Sequence, residues 1–222
     1  MADPIRISRF GIVNVYLVRE DDGLTVIDTA LPGSTKAILA AAKGAGAPIK
    51  RIVLTHAHGD HIGSLDALAA EVPDAEVLIS ERDARLLRKD KTMDPGEPDD
   101  SLSGSYPGAQ TKPTGALVPG ERVGSLEVIA APGHTPGHVA LLDMRDDTLY
   151  CGDAYSTLGG VATCAKANLK FPLPAIATWH KPTALESARS LRAREPRALA
   201  PGHGKVVENP VDAMDAAIAK AS

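Results

Sequence analysis

Four potential metal ligands stand within six residues near the middle of the first half of the chain. They occur in the run Thr55-His56-Ala57-His58-Gly59-Asp60-His61, directly after the β-branched segment 52–54. On an extended strand, His56 and His58 would point to the same face. Asp60 and His61 would then aim back at the same point from the following turn. Imidazole and carboxylate ligands together suit Zn²⁺, Fe or Mn, so this run predicts a metal site.

A structural role is the alternative for any single histidine, which is more often solvated or satisfied in a core. Here three of the chain's seven histidines fall in one hexapeptide. Burying three imidazoles and a carboxylate without a metal would require a polar partner for each. The spacing therefore favours metal binding over a structural role.

Three further candidate ligands lie on short glycine-containing loops, each of which follows an apolar run. They are His134 in Ala131-Pro132-Gly133-His134, Asp153 in Tyr150-Cys151-Gly152-Asp153, and His203 in Ala200-Pro201-Gly202-His203. This repeated arrangement is expected if the ends of several strands converge on one site.

The order of these motifs resembles that of the metallo-β-lactamase superfamily, in particular its glyoxalase II-like and lactonase-like branches. H-x-H-x-D-H is followed by P-G-H-T, G-D and P-G-H, and the resemblance extends from Val26-Ile27-Asp28-Thr29 to His203. It implies an α+β fold, a four-layer αββα sandwich with the metal site at one edge of the two sheets. Flavo-diiron oxidoreductases usually carry a glutamate at the position of His58, which disfavours that branch.

The resemblance also implies how the ligands divide between two divalent ions, zinc first, with iron or manganese possible. The first ion would be held by His56, His58 and His134. The second would be held by Asp60, His61 and His203, with Asp153 bridging the two. Such a pair of ions activates water for attack on a carbonyl or phosphoryl centre.

Two residues receive catalytic roles. Asp60 is expected to take up a proton as well as to ligate. Tyr155 would donate its hydroxyl to a developing oxyanion, although packing is the alternative. Lactonases have a similar tyrosine, but the spacing here is one residue shorter.

The expected reaction is hydrolysis of a small-molecule ester, lactone or thioester, with lactones preferred by a narrow margin. A glyoxalase II-type thioesterase and a promiscuous β-lactamase are alternatives. Glutathione thioesters are disfavoured because few residues follow His203, and the commonest class B β-lactamases use a cysteine where Asp153 stands. An oxidoreductase with a single iron, similar to persulfide dioxygenases, is the alternative from another class. A metal-dependent binding protein without turnover is a third.

The roles of several neighbouring residues stay open. His138 would support a ligand or simply form a turn, and His180 would line the pocket or cap a helix. Asp28 is expected to fix loop backbone near the site. Cys151 is interpreted as a small core residue, whereas Cys164 belongs to a segment, 158–174, that would wall the pocket or only connect elements.

Alternating strand and helix patterns are expected to position these residues. A hairpin joins 12–18 to 24–27 through Asp21-Asp22-Gly23. Further strands are predicted at 52–54, 76–79, 125–130, 139–143, 148–151 and 198–200, and helices at 34–43, 64–71, 81–89, 183–194 and 211–220. Residues 90–119 show no period, which predicts a loop inserted near the site mouth or a plain surface loop. One domain over 1–222 is the better interpretation.

Amino-acid composition and charge exclude several classes of protein. The 222 residues are 44% hydrophobic but only 3% aromatic, so the core must be aliphatic. A net charge of −4 argues against a general nucleic-acid-binding protein. No segment has the ~18 apolar residues of a membrane span, no secretory signal is evident, and two cysteines are too few for a disulfide framework. We expect a cytoplasmic protein that acts on a small molecule, with neither nucleic acid nor membrane as partner; an oligomer stays possible.

Overall fold

The computed structural model describes residues 4–222 as two six-stranded sheets with helices on their outer faces. The strands of the first sheet, in spatial order, are β1 (Ile5–Arg9), β2 (Val13–Glu20), β3 (Gly23–Ile27), β4 (Ile49–Val53), β5 (Glu76–Ile79) and β6 (Gly115–Ala116). The first three are antiparallel neighbours, and β3 to β6 are parallel. The predicted hairpin is therefore confirmed as β2 and β3.

The second sheet is built from the second half of the chain. Its strands are β7 (Arg122–Val123), β8 (Leu126–Ala130), β9 (Val139–Asp143), β10 (Thr148–Gly152), β13 (Ala198–Pro201) and β14 (Val207–Glu208), in the spatial order β14-β13-β10-β9-β8-β7. A separate two-stranded ribbon pairs β11 (Tyr155–Ser156) with β12 (Ala162–Thr163). Only β10 and β13 run parallel in the six-stranded sheet.

Seven helices complete the described chain. They are α1 (Thr35–Ala45), α2 (Gly59–Ile62), α3 (Leu65–Glu71), α4 (Glu81–Leu87), α5 (Leu173–Ile176), α6 (Lys181–Arg192) and α7 (Val211–Ala221). No helix among residues 4–222 has the length and apolar character needed to cross a membrane.

Side-chain alternation along the strands creates three apolar layers. In β2, Val15 and Leu17 pack with the helices of the first half, whereas Tyr16 and Val18 pack against the other sheet. Strand β9 alternates in the same way, its odd-numbered valine and leucine facing the first sheet and Leu142 facing α6 and α7. Full burial of one such side chain is worth about 1.5–3 kcal/mol. Helix, sheet, sheet and helix thus form the expected αββα sandwich.

The topology brings the candidate ligand loops to one edge of the sandwich. Strands β3 and β4 are parallel in the first sheet, and β10 and β13 are parallel in the second, so each pair ends at one edge. Strand β8 ends, and β9 begins, at that edge of the second sheet because β9 runs antiparallel to β10. The loops after β3, β4, β8, β10 and β13 carry Asp28, the histidine cluster, His134, Asp153 and His203.

The structure differs from the predicted elements at the histidine segment and at the first strand. The strand expected to run into the histidine cluster ends at Val53, three positions before His56. His56 and His58 therefore converge from a loop and the start of α2, not by strand alternation. Strand β1 was not predicted; its isoleucines, Ile5 and Ile7, are half-buried and lie on either side of the exposed Arg6.

Candidate metal centre

Seven side chains of the predicted site lie together at the sheet edge. One group contains His56, His58 and His134, a second contains Asp60, His61 and His203, and a third links His56 and His61 to Asp153. Within each group the potential ligand atoms lie within 4.8 Å of one another. All seven predicted ligands are thus neighbours, although three come from loops more than 70 residues downstream of the first.

Asp153 lies between the two triads. Its Oδ2 is 3.4 Å from His134 Nε2 and 3.1 Å from His203 Nε2, and its Oδ1 is 3.2 Å from His61 Nε2. The carboxylate therefore contacts nitrogens of both groups. Asp60 Oδ2 lies 3.3 Å from His203 Nε2 at the more exposed side of the cluster.

Hydrogen bonds on the outer side of the rings set the histidine tautomers. His61 Nδ1 lies 2.8 Å from Asp28 Oδ2, and His203 Nδ1 lies 3.2 Å from the carbonyl of Ile12. Both nitrogens donate to these acceptors, so the lone pair of the neutral ring is on Nε2, which faces the cluster.

Two threonines act on His56 and His134 in the same way. The Thr55 hydroxyl donates to Asp28, so it accepts from His56 Nδ1 at 3.0 Å. The Thr178 hydroxyl donates to the carbonyl of Pro174 and accepts from His134 Nδ1 at 3.0 Å. Each Nε2 is again left without a proton.

His58 is oriented in the opposite sense. Its Nε2 donates to the carbonyl of Ser103 at 3.1 Å, which leaves Nδ1 without a proton. That Nδ1 lies 2.9 Å from His134 Nε2. Two nitrogen lone pairs therefore face each other, an arrangement that a cation coordinated by both would stabilise.

Buried polar atoms without hydrogen-bond partners point to the same conclusion. Three of these atoms belong to the predicted ligands: His56 Nε2, His61 Nε2 and Asp153 Oδ1, the last two close to each other but not aligned for a hydrogen bond. An unsatisfied buried polar group is costly, so these three atoms are expected to have a ligand. A donor set of five imidazoles and two carboxylates fits two divalent cations.

Burial and charge divide the histidines. Burial lowers the pKa of His56 and His134, and it lowers that of His58 to about 4, so these three imidazoles are neutral at pH 7. Burial also acts on His61 and His203, but the carboxylates, chiefly Asp153, overcome it and raise both pKa values, that of His203 to about 9. A metal ion at the second triad would compete with those protons.

Asp28 stabilises the loop that follows β4, as predicted. Its Oδ1 accepts a hydrogen bond from the Thr55 amide at 2.8 Å, and Oδ2 accepts from the Thr55 hydroxyl at the same distance. With its contact to His61 Nδ1, this one carboxylate fixes both ends of the histidine segment.

A second fixing residue, Asp83, was not identified from the sequence. This fully buried carboxylate accepts from the Ala57 amide, the Thr135 hydroxyl and the Gly137 amide, at 3.0, 2.7 and 2.8 Å. Burial raises its pKa to about 6, against the effect of these donors. In the sequence, Asp83 is indistinguishable from an ordinary acidic residue in the first turn of a helix.

The assignment of Tyr155 as an oxyanion donor is wrong. Its ring is fully buried in the core between the second sheet and the outer helices, and its hydroxyl donates to the carbonyl of Ala188 at 2.7 Å. Cys151 packs in the same core. Tyr155 is therefore a packing residue.

The other open residues also receive defined positions. His138 Nε2 accepts from the amide of Asp153 at 3.1 Å, so it positions a ligand through the backbone. His180 caps α6, where its Nδ1 accepts from the Thr183 amide. Cys164 is buried and free.

Residues 103–106 of the long loop lie against His58. Beyond the Ser103 carbonyl, the ring of Tyr106 is 4.6 Å from that of His58, centroid to centroid. A Cβ atom on Gly104 would meet His58 Nε2 at 2.4 Å, so the backbone approaches the ring closely. The Trp179 indole donates to the carbonyl of Asp100 and fixes the loop from the other side.

A pocket of about 240 Å³ opens onto the cluster. It is lined by Ile12, Val13, Leu31, His58, Asp60, Asp153, Phe171, Leu173, Pro174, Ala177 and His203. Apart from the cluster residues the wall is apolar, and it includes no Lys or Arg among the described residues.

Comparison with known sequences identifies the family. The family model described as metallo-beta-lactamase superfamily matches residues 8–203. Uncharacterized protein YobT of Bacillus subtilis is 49% identical over 210 residues, covering 94% of this chain and 90% of that protein. Probable metallo-hydrolase YflN of the same species is 34% identical, covering 87% of this chain and 81% of that protein.

More distant relatives include a hydroxyacylglutathione hydrolase of Aeromonas hydrophila, 28% identical over 70% of this chain and 51% of that enzyme. Among solved structures, TTHA1623 in a di-iron-bound form has a TM-score of 0.67 at 24% identity, covering 96% of this chain and 97% of that one. BLEG-1 B3 metallo-beta-lactamase has a TM-score of 0.70 at 21% identity, covering 96% of both. The family match, the αββα sandwich and the convergence of these loops show that the chain belongs to the metallo-β-lactamase superfamily.

Proposed function

We propose that this protein is a two-metal hydrolase that cleaves a small, neutral ester, lactone or thioester. The observation that carries the proposal is the position of Asp153, whose two carboxylate oxygens contact nitrogens of both ligand groups. That contact favours a pair of ions that share a ligand over a single ion.

The residues divide as the family resemblance implies. His56, His58 and His134 would hold one ion, and Asp60, His61 and His203 the other, with Asp153 shared. Two bound divalent ions would lower the pKa of water toward ~7 and polarise the substrate's acyl oxygen. Zinc is the first candidate because imidazole and carboxylate ligands suit it, and iron is the second.

Asp60 is the residue proposed to accept the proton. Both carboxylates line the pocket, but the side chain of Asp60 is 35% exposed and that of Asp153 only 4%, so Asp60 is the more accessible of the two. Its pKa is lowered to about 2 by nearby positive charge despite its burial, so at pH 7 it is ionised.

The pocket wall supports a neutral substrate with an apolar part. Ile12, Leu31 and Phe171 would contact such a group, and none of the described residues lining the pocket is a Lys or Arg that could pair with the carboxylates of a glutathione thioester. Tyr155 no longer favours a lactone because its hydroxyl is bonded elsewhere. Esters, lactones and thioesters therefore remain equal candidates.

An activity panel tests the proposal. Protein loaded with zinc or iron would be assayed on neutral esters, lactones and thioesters of matched acyl length, with a glutathione thioester, a β-lactam and a phosphodiester for comparison. We expect turnover of a neutral acyl compound, its loss with a chelator, and a loss of at least ~100-fold in Asp153→Asn. Asp143→Asn, at the far end of β9, is the control for a buried carboxylate outside the site. No turnover of any member by protein holding two ions, or oxygen uptake by protein holding one iron, would overturn it.

A further inference from the structure

A second cavity lies between α7 and the segment 159–170, outside the metal centre. Its volume is about 560 Å³, which is larger than the pocket at the metal centre and within the range of ~300–1,000 Å³ typical of ligand sites. Nothing in the proposed hydrolysis uses it. We refer to it as the α7 cavity.

One side of the α7 cavity is apolar. Ala213, Ala216 and Ala217 lie on one face of α7 at helical spacing, opposite Val161 and Leu169. Leu169 is 99% exposed, so a large apolar side chain stands at the cavity edge with no protein contact to cover it. This surface suits the apolar body of a ligand.

Three lysines are the charged residues of the cavity wall. Lys166, Lys170 and Lys220 line it, and no Asp or Glu does. Within residues 4–222, none of these three lysines forms an ion pair. The fourteen ion pairs that Lys or Arg forms in that part of the chain all involve arginine. Asp215, the acidic neighbour on α7, is paired with Arg192. None of the three lysines therefore has a carboxylate partner within 4.0 Å among the described residues.

Apolar surface and three lysines without an ion pair thus line one cavity.

We propose that the α7 cavity binds an amphipathic organic anion, with its apolar body on the alanine face and its carboxylate or phosphate among the three lysines. Binding there needs no metal and does not depend on the proposed hydrolysis. The segment 159–170 carries two of the lysines and leads into Phe171, which packs 5.2 Å from the His203 ring, centroid to centroid.

Calorimetric titration of the metal-loaded protein tests this assignment, with octyl phosphate and octanoate as probes below their micellar concentrations. Octanol, which has the apolar chain but no charge, and inorganic phosphate, which has the charge but no apolar chain, are the comparison compounds. We expect at least one amphipathic anion to bind ~10-fold or more tightly than both comparison compounds. The same affinity after chelation would separate this site from the metal centre.

Variants locate the binding. Lys166→Gln/Lys170→Gln/Lys220→Gln should weaken binding about tenfold, whereas Lys36→Gln/Lys43→Gln/Lys50→Gln, with the same change in charge on another face, should change it less than about twofold. Ala216→Phe fills the cavity from an exposed helix position and should abolish binding without loss of fold. Amide chemical shifts should change in 159–170 and α7. Equal loss in both lysine triples, equal binding of octanol, or no binding of either anion would overturn the proposal.

Discussion

Thr178 illustrates how residues outside the cluster control the ligands. Its hydroxyl accepts from His134 Nδ1 because its own proton goes to the carbonyl of Pro174. Replacing Thr178 with Val would remove that acceptor. The proton of the neutral His134 ring could then be on either nitrogen. Partners of this kind typically contribute 10–100-fold to metal affinity.

We therefore expect Thr178→Val to weaken metal binding by about 10–100-fold, measured by competition with a chromophoric chelator. Thr148→Val is the matched control, because Thr148 is equally buried and its hydroxyl has no partner. The control should keep wild-type affinity and stability. Equal affinity in the Thr178 variant would show that this hydroxyl does not set the tautomer.

Asp83 connects the two histidine loops from behind. In Asp83→Asn, an amide NH₂ would face either the Gly137 amide or the pair formed by Ala57 and Thr135, so at least one donor loses its acceptor. The cost is expected to be about 1–3 kcal/mol of unfolding free energy, measured by urea denaturation of chelator-treated protein. Asp66→Asn, at an exposed carboxylate, serves as the control variant.

The same variant has a pH signature. Burial raises the pKa of Asp83 to about 6, above the value of ~3.9 in an unfolded chain, so the folded protein holds a proton that the unfolded chain releases between those values. The contribution of the carboxyl group to stability is therefore full below pH ~4 and decreases as the pH rises through about 6. The wild-type advantage over Asp83→Asn should shrink across that window; an advantage that grows would contradict the account.

For Tyr155 we expect a substitution to lower stability and to leave activity unchanged. Tyr155→Phe removes the hydrogen bond to the Ala188 carbonyl but no group near the ligands. Stability should fall by about 0.5–1.5 kcal/mol, while kcat/KM of the metal-loaded enzyme stays within about twofold. A loss of kcat at unchanged stability would restore the catalytic role first expected from the sequence.

Residue spacing explains why the ligands could be predicted and their supports could not. His56, His58, Asp60 and His61 are adjacent in the chain, so their spacing alone indicates a site. Asp83 and Thr178 act through hydrogen bonds to other loops, and no local pattern encodes such contacts. Tyr155 was misassigned because proximity to Asp153 in sequence does not show which face of the sheet a side chain occupies.

At the level of elements, the loop that covers His58 provides the sharpest contrast. Gly104 and Gly96 lie in the same loop with the same φ of +91°, but a Cβ atom at Gly104 would meet His58 Nε2 at 2.4 Å, whereas nothing lies within 4 Å at Gly96. Both alanine variants carry similar backbone strain. Only Gly104→Ala would displace the side chain of His58.

We expect Gly104→Ala to lower metal affinity by at least ~10-fold and Gly96→Ala to leave it unchanged, with similar small losses of stability in both. Isothermal titration of zinc into chelator-treated protein measures the difference. Equal affinities in the two variants would show that the loop can move away from His58 without cost to the site.

The elements themselves were predicted best where period and turn signals agree. The hairpin of β2 and β3, strand β5 and strand β9 match their predicted segments closely. The short strands β6, β7, β11, β12 and β14 were missed because two residues carry no period. The pairing of these short strands is set by tertiary contacts. Tertiary contacts also set the end of β4 at Val53, and the histidine segment that follows curves around the site.

At the scale of the whole molecule, the candidate metal centre draws its side chains from both halves of the sandwich. The first half supplies four predicted ligands, His56, His58, Asp60 and His61. The second half supplies His134, Asp153 and His203. Ions held by both halves bind the folded state alone, so loading should also raise the unfolding temperature. The family order was needed to predict that the distant ligands meet, since separation in sequence gives no information on it.

Metal stoichiometry tests the central claim most directly. Chelator-treated protein would be titrated with zinc and, separately, with ferrous iron, and the bound metal would be counted per chain by elemental analysis after removal of the excess. The account predicts two ions per chain for wild type and fewer than two for Asp153→Asn, because one carboxylate contacts both triads. A saturating value of one ion in the wild-type protein, unchanged by Asp153→Asn, would contradict it.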